Sequence, residues 1–179
     1  HLIFRACEST NAIESVRTIL RRDPTAVEAT RADDAAQPLH VAVMLQDLDL
    51  VRLLLNSGAC IDAIDNEGRT PLHVASLSGN MIIVCMLLEG VDGRSGSEVD
   101  KVTSKGHTAM FLACWRGHLE VAQRLHSAGA SLTRIDNEGK SMQQRAKDWN
   151  QTRVVTWLES QRELLFSSQG VADVAVSIS

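Results

Sequence analysis

The stretch Thr70-Pro71-Leu72-His73-Val74-Ala75 decides the fold, because it encodes a helix start and returns in altered form along the chain. Thr70 is a suitable N-cap, since its side-chain oxygen can accept an unpaired backbone N–H of the first turn. Pro71 suits the first helical position, where a backbone N–H is not needed. We therefore predict a helix that begins at Pro71 and ends at Gly79-Asn80, followed by an antiparallel helix over residues 81–89.

An alanine closes this stretch, and related segments elsewhere in the chain also close on an alanine. These anchor alanines are Ala6, Ala42, Ala75, Ala113 and Ala146. Their spacings of 36, 33, 38 and 33 residues indicate an underlying period of 33 residues with insertions. After the anchor alanines, apolar residues recur three and four positions apart, which predicts a helix with one buried face.

A polar pentapeptide, IDNEG, occurs twice, at residues 64–68 and 135–139, and the two copies are two periods apart. The aspartate of each copy can accept hydrogen bonds from its own backbone, and the glycine can adopt a positive φ without a Cβ clash. Each copy is therefore predicted to form a tight turn at a loop tip. The Asn and Glu between these two residues are expected to face a binding partner.

The hexapeptide at residues 70–75, together with the period of 33, resembles the ankyrin repeat, whose signature is T-P-L-H-x-A. The resemblance covers residues 1–163 and implies an all-α solenoid of stacked helix-turn-helix units with loop or β-hairpin fingers. Five repeats are predicted, over residues 1–32, 33–65, 66–103, 104–136 and 137–163. The first and last repeats depart most from the signature, as expected of caps whose outer faces meet water.

Two segments do not fit the repeat. Residues 89–98 are rich in Gly and Ser, which predicts a mobile loop extension, either a tolerated insertion or a lengthened finger that contacts a partner. Residues 164–179 form a tail that is predicted to be extended or disordered. Alternatively, the tail folds back on the array, pairs with a neighbouring chain or begins another domain.

Composition argues against several classes of function. A net charge of −4 and a pI near 5.8 argue against a nucleic-acid partner, which usually requires a clustered basic surface. No apolar run approaches the roughly 18 residues that span a bilayer, so no membrane insertion is expected. The four cysteines lack C-x-x-C spacing, which favours a reducing, intracellular compartment, the cytoplasm.

No motif of a catalytic site is present in the sequence: there is no phosphate-binding loop, no G-x-S-x-G elbow and no H-E-x-x-H. We therefore expect a protein without enzymatic activity, cofactor or metal. His40 and His73 occupy the histidine position of the signature. The resemblance implies that they join one loop to the next by hydrogen bonds, and no Cys or carboxylate stands at the spacing of a metal ligand.

The resemblance also places partner contacts on the loop tips and on the solvent-facing end of the first helix of each repeat. The predicted tip residues are Asn66, Glu67, Arg69, Lys105, His107 and Lys140. The predicted helix residues are Met44, Leu45, Leu77, Trp115, Arg116 and Trp149. Exposed apolar and aromatic residues ringed by polar groups indicate an interaction site, with Trp115 and Arg116 at its centre. The alternative is that these side chains pack between repeats.

These observations predict a protein-interaction module or scaffold that binds a peptide or domain on its concave surface. The partner is expected to carry acidic groups, which Arg69, Lys105, Arg116 and Lys140 would contact, and an apolar group against Trp115. Two alternatives stay open. One is a regulatory ankyrin segment of a larger enzyme or channel, and the other is a structural module that self-assembles through residues 164–179; the sequence leaves the oligomeric state open.

Overall fold

Short helices follow one another in antiparallel pairs along the chain. The computed structural model describes residues 2–90 and 96–163. In chain order the helices are α1 (Leu2–Cys7), α2 (Ala12–Arg22), α3 (Pro38–Met44), α4 (Leu48–Asn56), α5 (Pro71–Ser78), α6 (Met81–Glu89), α7 (Ala109–Arg116), α8 (Leu119–Ser127), α9 (Met142–Asp148) and α10 (residues 152–163). A short 3-10 helix, Pro24–Glu28, follows α2. The odd-numbered helices are the first helices of the pairs, and the even-numbered ones are the second helices.

The predicted bounds of the third pair are confirmed. Helix α5 begins at Pro71, and the Thr70 side chain accepts the backbone N–H of His73 at 3.4 Å. The helix ends at Gly79, whose φ of 77° is left-handed. A Cβ at this position would also come within 2.5 Å of the His118 ring, so both backbone conformation and space require glycine. Helix α6 then covers the predicted residues, Met81–Glu89.

The helices form two layers, one of first helices and one of second helices. Neighbouring first helices lie closer together than neighbouring second helices, because small anchor residues face the next repeat. Ala42, Ala75, Ala113 and Ala146 are all completely buried. Closer approach in one layer curves the stack, so the first-helix side is concave. The predicted all-α solenoid of stacked helix pairs is confirmed.

Two buried histidines join consecutive repeats, as the sequence predicted. The Nδ1 of His73 accepts the backbone N–H of Thr70 at 3.1 Å, which leaves the proton on Nε2. Nε2 then donates to the carbonyl oxygens of Lys101 and His107, at 3.0 and 3.1 Å. His40 repeats this arrangement one repeat earlier, where its Nε2 donates to the carbonyl oxygen of Arg69 at 2.9 Å. Both rings therefore act structurally and are needed in the neutral form.

Both IDNEG copies form the predicted tight turns. The carboxylate of Asp65 accepts the backbone N–H groups of Glu67 and Arg69, each at 2.9 Å. Asp136 does the same in the second copy, and Gly68 and Gly139 adopt φ values of 70° and 76°. We call the loop tips fingers and number them by the repeat whose first helix they precede: finger three is residues 64–70, finger four 102–108 and finger five 135–141. Fingers three and five are therefore held by their own buried aspartates. Of the β-hairpin form expected for these fingers, the described residues show one isolated bridge, between Ile135 and Ser141.

Backbone hydrogen bonds link each finger to its neighbour. Asn66 donates its backbone N–H to the carbonyl oxygen of Asp34 at 2.8 Å. In the same way Ser104 donates to Glu67 at 2.9 Å, and Asn137 donates to Lys105 at 3.0 Å. The fingers therefore form one continuous row, in which each tip is held in position by a hydrogen bond to the next.

Part of the loop extension predicted to be mobile is fixed to the core. The backbone N–H of Ser97 donates to the carbonyl oxygen of Leu87 at 2.7 Å, and that of Glu98 donates to Asp62 Oδ2 at 3.1 Å. A Cβ at Gly96 would collide with the Leu88 carbonyl oxygen, so this segment packs directly against the end of α6. Residues 91–95 and the predicted tail, residues 164–179, lie outside the described residues.

The spacing of the first helices should depend on the size of the anchor residue. Ala113→Leu adds volume to a completely buried contact between α7 and its neighbours. We expect the free energy of unfolding to fall by about 1–3 kcal/mol, which urea titration followed by circular dichroism would measure. Ala128→Leu, at an exposed position after α8, is the matched control and should leave stability nearly unchanged. Equal effects of the two changes would contradict the proposed role of the alanine.

The neutral histidines make stability depend on pH. Burial lowers the pKa of His73 from 6.5 to about 4, so between these values the unfolded chain binds more protons than the folded chain. Stability should therefore fall as pH drops through this range, by up to about 1.4 kcal/mol per pH unit for this group. Burial also lowers the pKa of His40, which adds to the slope.

The variant His73→Gln should reduce this slope. Glutamine occupies the same position in α9, where Gln144 Oε1 accepts the backbone N–H of Ser141 at 2.7 Å, so the helix cap should survive. We expect urea titrations at a series of pH values to show lower stability at neutral pH and a shallower loss on acidification. Parallel pH profiles for the variant and the wild type would contradict the assignment.

Candidate functional site

The candidate site lies on the concave side, where the ends of the first helices meet the fingers. Three of the predicted apolar residues are exposed there: Met44 retains 54%, Leu45 49% and Trp149 54% of their accessible surface. Several exposed large apolar residues on one side of a protein, as distinct from single ones, indicate an interaction surface. We call these residues, together with Leu77 and Trp115, the apolar stripe. Leu77 is half-buried.

Trp115 is only partly exposed, because its ring lies between two neighbours. Its centroid is 5.6 Å from the ring of His107 and 5.8 Å from that of Trp149, both in edge-to-face geometry. Its indole N–H is shielded from water and has no acceptor among the described residues. For this residue the alternative interpretation, packing between repeats, is partly correct. Trp115 forms a wall of the surface and does not project from it.

His107 was predicted to contact a partner, and the structure leaves only a small part of it exposed. The residue is buried, with its ring stacked on Phe111 at 4.6 Å and its Nε2 3.7 Å from Asp136 Oδ2. Burial lowers its pKa, which keeps the ring neutral at physiological pH. Phe111 stands where α3 and α5 carry their histidines, so the ring of His107 fills the space between fingers four and five instead. His107 supports the surface from behind.

The asparagines of the fingers are exposed but already have partners. Asn66 Nδ2 donates to the carbonyl oxygen of Asp33 at 3.4 Å, and Asn137 Nδ2 donates to that of Ser104 at 2.9 Å. Glu67 is exposed, and its carbonyl oxygen accepts a hydrogen bond from the Ser104 hydroxyl at 2.8 Å. These asparagine side chains therefore align the fingers, and only the outer edge of each finger is available for a partner.

The four predicted cations differ in what surrounds them. Arg69 pairs with Asp65 at 2.7 Å and with Glu67 at 3.5 Å, and Lys140 pairs with Asp148 at 2.8 Å. Among the described residues, no carboxylate lies within ion-pair distance of the Lys105 ammonium or the Arg116 guanidinium. Internal pairing has therefore divided the predicted set into two neutralised cations and two available ones.

The second IDNEG copy shows why the sequence alone did not separate the paired cations from the available ones. Its following residue is Lys140, not arginine, and it does not reach the aspartate of its own turn. Arg145 from α9 takes that place, with Nε 2.8 Å from Asp136 Oδ2 and a second contact to Glu138 at 2.7 Å. In the second copy, Arg145 of the following helix thus supplies to Asp136 the guanidinium that Arg69, next to the turn, supplies to Asp65 in the first copy.

Two shallow clefts border Trp115. One, of about 260 Å³, lies between fingers three and four and is lined by Glu67, Arg69, Leu77, Lys105, Leu112 and Arg116 among others. The other, of about 460 Å³, lies at the ends of α5, α7 and α9 and includes Gln46, His118, Trp149 and Gln151. Trp115 and Arg116 contribute to both clefts. The predicted centre of the site therefore separates two recesses of one surface.

A row of apolar residues that the sequence pattern did not single out lies at the bases of the fingers. Ile64, Val102 and Ile135 are 59%, 48% and 59% exposed. Each stands at the same place in its repeat, immediately before the residue that begins the turn. Three exposed β-branched residues at equivalent positions are a signal that alignment on the anchor alanines could have found.

No helix within the described residues, 2–90 and 96–163, has the length and apolar character to cross a bilayer. No group of three or more His, Cys, Asp or Glu side chains there is placed to hold a metal ion.

Comparison with known families and proteins points to one family. Residues 3–97 match the family described as "Ankyrin repeats (3 copies)", and residues 105–137 match "Ankyrin repeat". The chain is similar to the nuclear factor NF-kappa-B p105 subunit of Mus musculus, with 37% identity over 94 residues, covering 51% of this chain and 9% of that protein. It is also similar to NF-kappa-B inhibitor alpha of Homo sapiens, with 32% identity over 96 residues, covering 53% and 30%.

A longer match is to the probable 26S proteasome regulatory subunit p28 of Saccharomyces cerevisiae, with 29% identity over 133 residues, covering 73% of this chain and 56% of that protein. The chain thus spans less than two thirds of the length of each of these relatives.

The packing of Trp115 predicts different outcomes for two substitutions. Trp115→Ala removes the ring contacts with His107 and Trp149 and should lower the free energy of unfolding by about 1–3 kcal/mol. Trp115→Phe keeps an aromatic ring and removes the unpaired N–H, so it should cost less than half as much. Urea titration of both variants would measure this, and equal losses would contradict the account.

Proposed function

Because this chain belongs to the ankyrin-repeat family, we propose that it binds another protein, as a peptide or a domain, across the concave surface of repeats two to five. Arrays of this family are protein-interaction modules, and their stacked repeats present one extended surface. The observation that carries the proposal is the exposed apolar stripe of Met44, Leu45 and Trp149 beside the fingers. An array that served only as a spacer would not need apolar side chains on this side.

The second row of apolar residues supports the same surface. Ile64, Val102 and Ile135 add exposed apolar area at the finger bases. Protein interfaces combine a core of aromatic and aliphatic residues with a polar rim. Here the rim would be the finger tips, where Glu67 and Glu138 are exposed. The proposed role is that of a scaffold or adaptor without catalytic activity.

We also propose an intracellular, cytoplasmic location. The four cysteines, Cys7, Cys60, Cys85 and Cys114, are all free thiols. Burial raises the pKa of Cys7 and of Cys114 to about 12, so these two behave as small apolar core residues. Unpaired cysteines on this scale are typical of proteins kept in a reducing compartment.

A second proposal is that the array regulates a larger protein of which it is one segment. The similarity to the probable E3 ubiquitin-protein ligase XBOS31 of Oryza sativa favours it, because the matched part is only 28% of that protein. In this case the concave surface would bind another segment of the same polypeptide. The two proposals share one surface and differ in where the partner is encoded.

Substitutions on the stripe test the proposed surface. The double variant Met44→Ser, Leu45→Ser removes two exposed apolar side chains of the concave side. Proteins retained from a native cell extract by the immobilised chain should include a set whose recovery, measured by quantitative mass spectrometry, falls at least about tenfold in this variant.

The matched control is Leu2→Ser, Ile82→Ser, which removes two exposed apolar side chains outside the proposed surface. Its retained proteins should match those of the wild type. The proposal would be wrong if the stripe variant retained the same proteins in the same amounts, or if both variants lost them equally.

A further inference from the structure

We infer that the cleft between fingers three and four binds an acidic side chain of the partner, Asp or Glu, next to a large apolar side chain. This cleft is lined by Leu77, Leu112 and Trp115 together with Lys105 and Arg116. The inference rests on the proposed function and narrows it from a whole concave surface to one recess and one class of partner sequence.

Two cations of this cleft have no carboxylate partner among the described residues. Lys105 is at the tip of finger four and Arg116 is at the end of α7, and both line the same cleft. No carboxylate among the described residues neutralises either of them, whereas Arg69 on the opposite wall has both Asp65 and Glu67. The cleft therefore has one neutralised wall and one positively charged wall.

The positive charge of this cleft belongs to a chain that is acidic overall. The chain as a whole carries a net charge of −4, so a pair of available cations in one recess differs in sign from the molecule around it. A local potential opposite to that of the whole protein orients a partner and selects against wrong ones. The acidic group is expected on the Lys105 and Arg116 side, away from Glu67.

The size and the apolar lining of the cleft suit a side chain of a protein segment. Leu77 and Trp115 are partly exposed in the cleft, and Leu112 forms its floor. At about 260 Å³ the cleft is smaller than the roughly 300–1,000 Å³ of sites that enclose small ligands. It fits one large side chain of a protein segment, with an acidic neighbour reaching the cations at the rim.

Random peptides displayed on phage and selected on the immobilised wild-type chain would test this. The enriched peptides should carry Asp or Glu beside Leu, Phe, Met or Trp. As synthetic peptides they should bind the double variant Lys105→Gln, Arg116→Gln at least about tenfold more weakly than the wild type. Replacing the acid of a peptide by its amide should weaken its binding to the wild type by a similar factor. Fluorescence anisotropy would measure each affinity, and added salt should weaken the wild-type complex.

The control variant, Lys147→Gln, Arg153→Gln, changes the net charge equally but removes exposed cations of repeat five, which pair with Glu159 and Glu120. It should bind the peptides like the wild type. Thermal unfolding by circular dichroism verifies that all variants fold.

The possible failures are distinguishable. The inference would be overturned, and the proposed function left standing, by peptides that require the Met44 and Leu45 stripe but carry no acid. Peptides that bind the Lys105 and Arg116 double variant as tightly as the wild type would have the same consequence. If no enriched peptide depended on the stripe or the cleft, both would be contradicted.

Discussion

The close contact between first helices is the constraint on which the rest of the structure depends. No helix pair of this size can bury its apolar face alone, so each repeat exists only against its neighbours. The completely buried anchor alanines bring the backbones of α3, α5, α7 and α9 close together. At that distance a histidine can reach the next finger, and a finger can donate its N–H to the one before. The width of the clefts is set by the same spacing.

Much of this architecture could be predicted, because its signals are local. The helix start at Thr70-Pro71, the stop at Gly79 and the IDNEG turns each depend on residues a few positions apart. Their chemistry is therefore readable from the sequence. The same holds for the buried anchor alanines, since a repeated pattern in a solenoid implies a repeated environment.

The candidate site was less predictable, because exposure and charge there are decided by the neighbouring repeat. Trp115 and His107 stand at positions that are usually exposed, and each is covered by a ring from its surroundings. Arg69 and Lys140 looked equivalent in the sequence, and both are neutralised, but by different geometries. The arrival of Arg145 at Asp136 is a tertiary contact with no counterpart in the first IDNEG copy. Pattern alone could not divide the four cations into paired and available ones.

The histidine bonds give the array a direction. In the bonds from His40 to Arg69 and from His73 to His107, the ring belongs to one repeat and the carbonyl oxygen to the repeat that follows. Shortening such an array from its two ends is therefore not equivalent: removing a following repeat takes away an acceptor of a histidine N–H, whereas removing a preceding repeat takes away the donor of a backbone carbonyl. The last pair, with Gln144 in the ring's place, closes its cap without relying on a successor.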